Sequence, residues 1–203
     1  NSFAGNQDQK IYVSGDVITS SCSWTDQGIP YLFNGDIDVT GSSGVPAVLT
    51  LEAGVEMQFN RYYQLTIGSS NPLNPGGLMA LGSSSDPILM TYNDDGGPPA
   101  PGGEWDGVYF DNYASDDDCV LEHVVIEYAG YASNDCVVCN GSSPTLNECV
   151  ITNGAGSAIY CANGASPTIY ACSIQDNSVY GILCNGAGSN PLITNCIITG
   201  NSY

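Results

Sequence analysis

Basic side chains are almost missing from this chain. Lys10 and Arg61 stand alone among 203 residues, against 21 aspartates and glutamates, and the formal net charge is −19. A surface of that sign repels phosphate backbones and anionic membranes, which excludes nucleic-acid binding. Histidine occurs once, at position 123. No apolar run approaches the roughly 18 residues a membrane-crossing helix needs, so direct membrane insertion is excluded too. The chain opens without a basic stretch followed by an apolar one, so we expect any signal peptide to have been removed already. Amphipathic helices are also lacking. In "HVVIEYAG" the apolar Val124, Ile126 and Tyr128 alternate with period two, the period of a strand.

What is present points to folded β structure. High negative charge can mark disorder, but 42% hydrophobic residues and 13 tyrosines supply a core. Charged residues make up only 11%, while Gly, Ser, Asn and Thr are abundant, a turn-rich composition that suits an extracellular or cell-surface setting. The last third repeats itself. Pro144, Pro167 and Pro191 lie 23 and 24 residues apart, and two cysteine columns keep step with them: Cys139, Cys161, Cys184 and Cys149, Cys172, Cys196. The register runs back without cysteine. "GVYF" (107–110) aligns with "CVVC" (136–139), "AIYC" (158–161) and "GILC" (181–184), while "VLEHVVIE" (120–127) puts Val124 in the second column. A period near 23 with short alternating strands and no helix fits one coil of a β-solenoid. Val108 and Phe110, Val137 and Cys139, Ile159 and Cys161, and Ile182 and Cys184 then face inward, and Gly, Asn, Ser and Pro make the turns.

"SPTIYACSIQDNSVYGILC" (166–184) resembles the repeat of bacterial right-handed parallel β-helix proteins of the pectate-lyase-like architecture. "SWTDQGIPYLFNGDIDV" (23–39), "LTLEAGVEMQF" (49–59), "GLMALGSSSDPILMT" (77–91) and "GEWDGVYF" (103–110) resemble the N-terminal part of its secreted members. The resemblance implies an all-β right-handed parallel β-helix of about seven coils, roughly 34 Å long at about 4.8 Å per coil. It leaves function open, because this architecture carries lyases, hydrolases, adhesins and structural proteins. We expect a capping segment over residues 1–30 and the helix proper over 31–203. The chain stops at "CIITGNSY", where the pattern calls for another strand, so we expect a segment of a longer protein or an assembling end.

Nine cysteines in a secreted-looking chain suggest disulfides, with at least one thiol left over. Cysteines in one column lie on successive coils at a spacing that permits a bond between rungs. The competing reading makes them small apolar core residues, in slots that Val124 and Phe110 fill one coil earlier, and it is favoured because Val and Phe substitute there. Cys22 lies outside both columns. Cys136 and Cys139 have zinc-ligand spacing, but the motif occurs once and the two are expected on opposite faces of a strand. His123 aligns with Glu148 and Ala171 at a bend, as an ordinary surface residue.

Candidate chemistry rests on acids. A pectate-lyase mechanism needs a base, and neither Lys10 nor Arg61 (in the turn "NRYY") sits in a catalytic motif. A hydrolase needs two carboxylates about 5–9 Å apart, which Asp36 with Asp38, or Glu104 with Asp106, would supply at the spacing of alternate strand residues. Trp105 between the second pair would stack on a sugar, although "GEWDGV" also reads as a structural segment. Two acidic loops, 92–106 and 111–119, suit Ca2+ through Asp94, Asp95, Asp116, Asp117 and Asp118. No cofactor is required. Tyr109, Val138, Tyr160 and Leu183 share one outward position on four coils and form an exposed apolar stripe. The expected function is a non-enzymatic extracellular or cell-surface structural or adhesive module. It would self-associate or dock neighbouring domains through the stripe or the terminal coil. The alternative is a carbohydrate-active module, hydrolase or glycan binder, using the acids near Trp105.

Overall fold

The computed structural model describes residues 9–93, 105–131 and 134–203. Among them lie 22 short strands and no α-helix, and none is long and apolar enough to cross a membrane as a helix. Every third strand pairs with the next, always in parallel, so three sheets wind around one axis. Sheet A has eight strands, from Ile11–Val13 to Ile197–Thr199. Sheet B has seven, from Asp16–Ile18 to Ile182–Asn185, and sheet C seven, from Cys22–Trp24 to Leu192–Thr194. The architecture is an all-β right-handed parallel β-helix of seven full coils and one further strand. The first three strands already pair with the second coil, so the coil stack reaches back into the segment expected as a cap.

The alternation of apolar and polar residues decides which side of each strand faces in. Val39, Ile67, Phe110, Cys139, Cys161 and Cys184 are Cα partners in one inward column of sheet B. Leu51, Ala80, Leu121, Leu146, Ile169 and Ile193 do the same in sheet C. Cys149 falls in line with Val124, because Val150 pairs with Val125. The columns are fully buried except on the last coil, where Cys184, Ile193 and Ile198 have no rung over them and are exposed. Each fully buried Leu or Ile contributes roughly 1.5–3 kcal/mol to this core.

The corners follow local chemistry. In the last four passages from sheet C to sheet A, the chain bends at one left-handed residue each: His123 (φ 48°), Glu148 (51°), Ala171 (53°) and Asn195 (58°). Asn tolerates that conformation, whereas the others bear a strain of roughly 1–2 kcal/mol each. The corner from sheet A to sheet B is packed with the rings of Phe33, Phe59 and Trp105 in the early coils, and Trp24, at the end of a sheet C strand, lies on Phe33. Trp24, Phe33, Phe59 and Trp105 stack in turn, with centroids 5.7, 4.6 and 4.3 Å apart. In the late coils the same corner holds Asn177, almost wholly buried. Its amide donates to the carbonyls of Ile151 and Gln175 and accepts from the Gly154 N–H, while Asn201 repeats the pattern by donating to Ile174 O.

Candidate functional site

Sheet B presents the outward row expected from the repeat. Val17, Asp38, Thr66, Tyr109, Val138, Tyr160 and Leu183 are Cα partners in sequence, one per rung, with inward residues on either side of each. Rungs are about 4.8 Å apart, so the four apolar members make a stripe about 14 Å long. All four are half-buried. Beside the stripe lies an open groove of about 410 Å3, lined by Gln64, Asp106, Tyr109, Asn134, Asp135, Val138 and Tyr160. The phenol of Tyr160 accepts a 2.6 Å hydrogen bond from Asn185, and Asp135 accepts one of 2.7 Å from the Ser157 N–H. Burial, reinforced by Asp111, pushes the Tyr109 phenol up.

The groove brings together residues that were expected in separate roles. Asp106 forms part of its wall beside the stripe, and one of its carboxylate oxygens is buried without a hydrogen-bond partner. Burial pushes this carboxyl above the ordinary carboxylate range. A hydrogen bond from Asn134 works against that shift, and the charge of Asp36 adds to it. Asp36 in turn accepts the backbone N–H of Gln64 at 2.9 Å. The interacting acids are therefore Asp36 and Asp106, from different coils, while Asp38 sits two rungs from Tyr109 in the same outward row, beyond the apolar stripe. Gln64, Asn134 and Asp135 were not singled out from sequence. The one available signal for Asn134 and Asp135 was their position just before the "CVVC" strand, where a corner delivers side chains to the edge of sheet B.

The three-sheet winding and this register decide the family. Residues 102–203 match the right-handed β-helix region family. The chain belongs to the right-handed β-helix family. No curated protein and no solved structure matches it.

Several residues of this β-helix differ from expectation. Trp105 is no sugar platform: it is fully buried, stacked on Phe59, and its indole N–H donates to Glu127 O at 3.0 Å. Cys136 and Cys139 are not on opposite faces, since both are buried. The chain turns inward just before the strand Val137–Asn140, and the Cys136 thiol points to Asn177 in the corner. Nor is 111–119 a loop. Its greater part belongs to the strand Ala114–Glu122, which bulges between Ala114 and Cys119 where it pairs with sheet C.

The calcium candidates divide. Asp94 and Asp95, like Glu104, lie outside the described residues. Asp116 accepts the Ser143 N–H at 2.6 Å and Asp118 the Ser115 hydroxyl at 2.8 Å. Among the described residues no group of three or more acidic, His or Cys side chains could hold a metal ion. All nine cysteines are free thiols; burial pushes Cys119 and Cys136 up to about 12, far from a nucleophilic or metal-ligating thiolate. Cys22 joins a column of its own with Leu49, Leu78 and Cys119 in sheet C. His123 sits at its bend with Nδ1 3.7 Å from a Glu148 oxygen.

Proposed function

We propose that this β-helix is a non-enzymatic structural or adhesive module, working outside the cell or at its surface, that self-associates or docks neighbouring domains through sheet B. One observation carries the reading: Tyr109, Val138, Tyr160 and Leu183 repeat one outward position on four successive rungs. Single exposed apolar residues mean little, but a row on a rigid sheet is a contact surface. The net charge of −19 holds copies apart at low salt and restrains indiscriminate clumping. Replacing Tyr109 and Tyr160 together with Ser is expected to weaken assembly in light scattering while leaving the melting temperature almost unchanged. Added salt strengthens assembly by screening. A wild-type chain that stays monomeric at high concentration and high salt overturns self-association.

Asp106 favours a second reading, a groove that binds or cleaves a glycan. A carboxyl with a raised pKa is suited to deliver a proton, and Asp36 beside it offers the second carboxylate. Reducing-sugar release from neutral and acidic polysaccharides, abolished in Asp106→Asn, is the expected result. No release and no retardation in affinity gels would sink this reading. The raised pKa also has a consequence for stability. The folded chain holds the Asp106 proton more tightly than the unfolded chain, so stability falls as pH rises from the ordinary carboxylate value through the raised one. In Asp106→Asn that part of the slope disappears from denaturant melts.

A further inference from the structure

The outer face of sheet A holds a second groove, of about 300 Å3, lined by Glu56, Gln58, Leu89, Thr91, Tyr92, Glu127 and Tyr128. Gln58 is only 8% exposed. Its Nε2 donates to Glu56 at 2.6 Å, which fixes the amide so that Oε1 is the opposite end. That oxygen is buried and receives no hydrogen bond. Thr91 spends its hydroxyl proton on Glu127 at 2.9 Å. One N–H of Gln58 and the hydroxyl of Thr91 are thus committed to the carboxylates, which leaves Gln58 Oε1 and the further lone pairs of Glu56 and Glu127 as acceptors. Tyr92 and Tyr128 meet edge to face, with ring centroids 5.2 Å apart, and wall one side.

An occupant must therefore bring donors. An anion is repelled. A divalent metal ion would find two carboxylates here and no third acidic, His or Cys group, among the described residues, to complete its shell. A neutral sugar would leave the two carboxylates without a counter-charge. An ammonium or guanidinium group brings only donors and a positive charge, and aromatic faces attract such cations. We infer that the sheet-A groove is a binding site for one organic cation, a lysine or arginine side chain presented by a partner protein. It lies on a different sheet from the Tyr109 stripe and does not depend on that reading.

Monovalent probes keep the long-range field of this acidic chain from mimicking the effect. Nα-acetyl-arginine methylamide and its lysine counterpart, titrated into the wild-type chain, are expected to shift the ring resonances of Tyr92 and Tyr128. Glu127→Gln and Gln58→Leu are each expected to weaken binding about fivefold or more, through loss of a charge-assisted or buried acceptor. Glu52→Gln, which removes the same charge from an exposed position on sheet C, leaves affinity nearly unchanged. Melting curves establish that the variants are folded. Equal weakening by Glu127→Gln and Glu52→Gln overturns the proposal, since only net charge would then be at work. So does a tyrosine response to maltose or to calcium chloride with none to the cationic probes.

Discussion

The corner between sheets A and B is filled in two ways, with stacked rings in the early coils and hydrogen-bonded amides in the late ones. Up to Trp105 the filler is aromatic: Phe33, Phe59 and Trp105, each ring lying nearly flat on the next, with Trp24 of sheet C stacked on the outer end. Beyond it come Ala129, Gly154, Asn177 and Asn201. Rings fill volume without demanding a fixed partner atom, because apolar burial is non-directional. Amides demand register, since each must meet particular backbone groups on the rung before. Coil lengths follow that division. Paired positions in sheet A fall at Tyr31, Met57, Met90 and Ile126, spacings of 26, 33 and 36 residues. They then fall at Ile151, Ile174 and Ile198, spacings of 25, 23 and 24. The aromatic half accommodates coils of unequal length, and the amide half does not.

Three substitutions test that contrast, the largest effect first. Trp105→Ala empties the widest part of the ring stack and strands Glu127 O, so a loss of about 3–5 kcal/mol is expected in denaturant melts. A loss below about 1 kcal/mol would mean that the rings are filler the corner can do without. Asn177→Ala deprives the Gly154 N–H and the Ile151 carbonyl of partners, for an expected loss of about 2–3 kcal/mol. If it costs no more than an ordinary surface change, the ladder is not what holds the late coils in step. The smallest effect is expected at Cys161→Val, which restores an aliphatic residue in a column that already takes Val39 and Ile67. A change under about 1.5 kcal/mol, with the buried thiols of Cys119, Cys136 and Cys139 still slow to react with a thiol reagent, fits a purely apolar role.

How much of this was legible in sequence tracks the same division. In the late coils, the cysteine columns, the alignment of Val124 with Cys149 and the bend at His123, Glu148 and Ala171 could all be read directly. There one rung dictates the next, and the repeat is printed in the chain. The stripe of Tyr109, Val138, Tyr160 and Leu183 was readable for that reason too. Trp105 was ambiguous because a Trp flanked by acids looks the same in sequence whether its ring turns out or in. The 36-residue coil that carries it offers no neighbouring repeat to compare. Cys136 was misplaced because strand alternation ends where a corner begins, and the inward turn is set by room beside Gly154. A Cβ at Gly154 would come within 2.1 Å of the Cys136 sulfur. The Asp36–Asp106 pairing joins coils 70 residues apart in sequence, and no local spacing encodes it.

The all-parallel pairing has a mechanical side. Ladder hydrogen bonds run from rung to rung along the long axis, so a pull on the two ends loads the rungs in series instead of sharing the force among them. Strand pairing joins each coil only to its neighbours, so the C-terminal coil peels before the next is disturbed, while the Lys10–Asn93 hydrogen bond ties the first coil to the fourth. A late coil of 23 to 25 residues releases about 80 Å of chain as it opens, and the 36-residue coil about 120 Å. Under tension the chain therefore behaves as a stepped extension spring, with fine steps at its two ends and coarse ones in the middle of the stack.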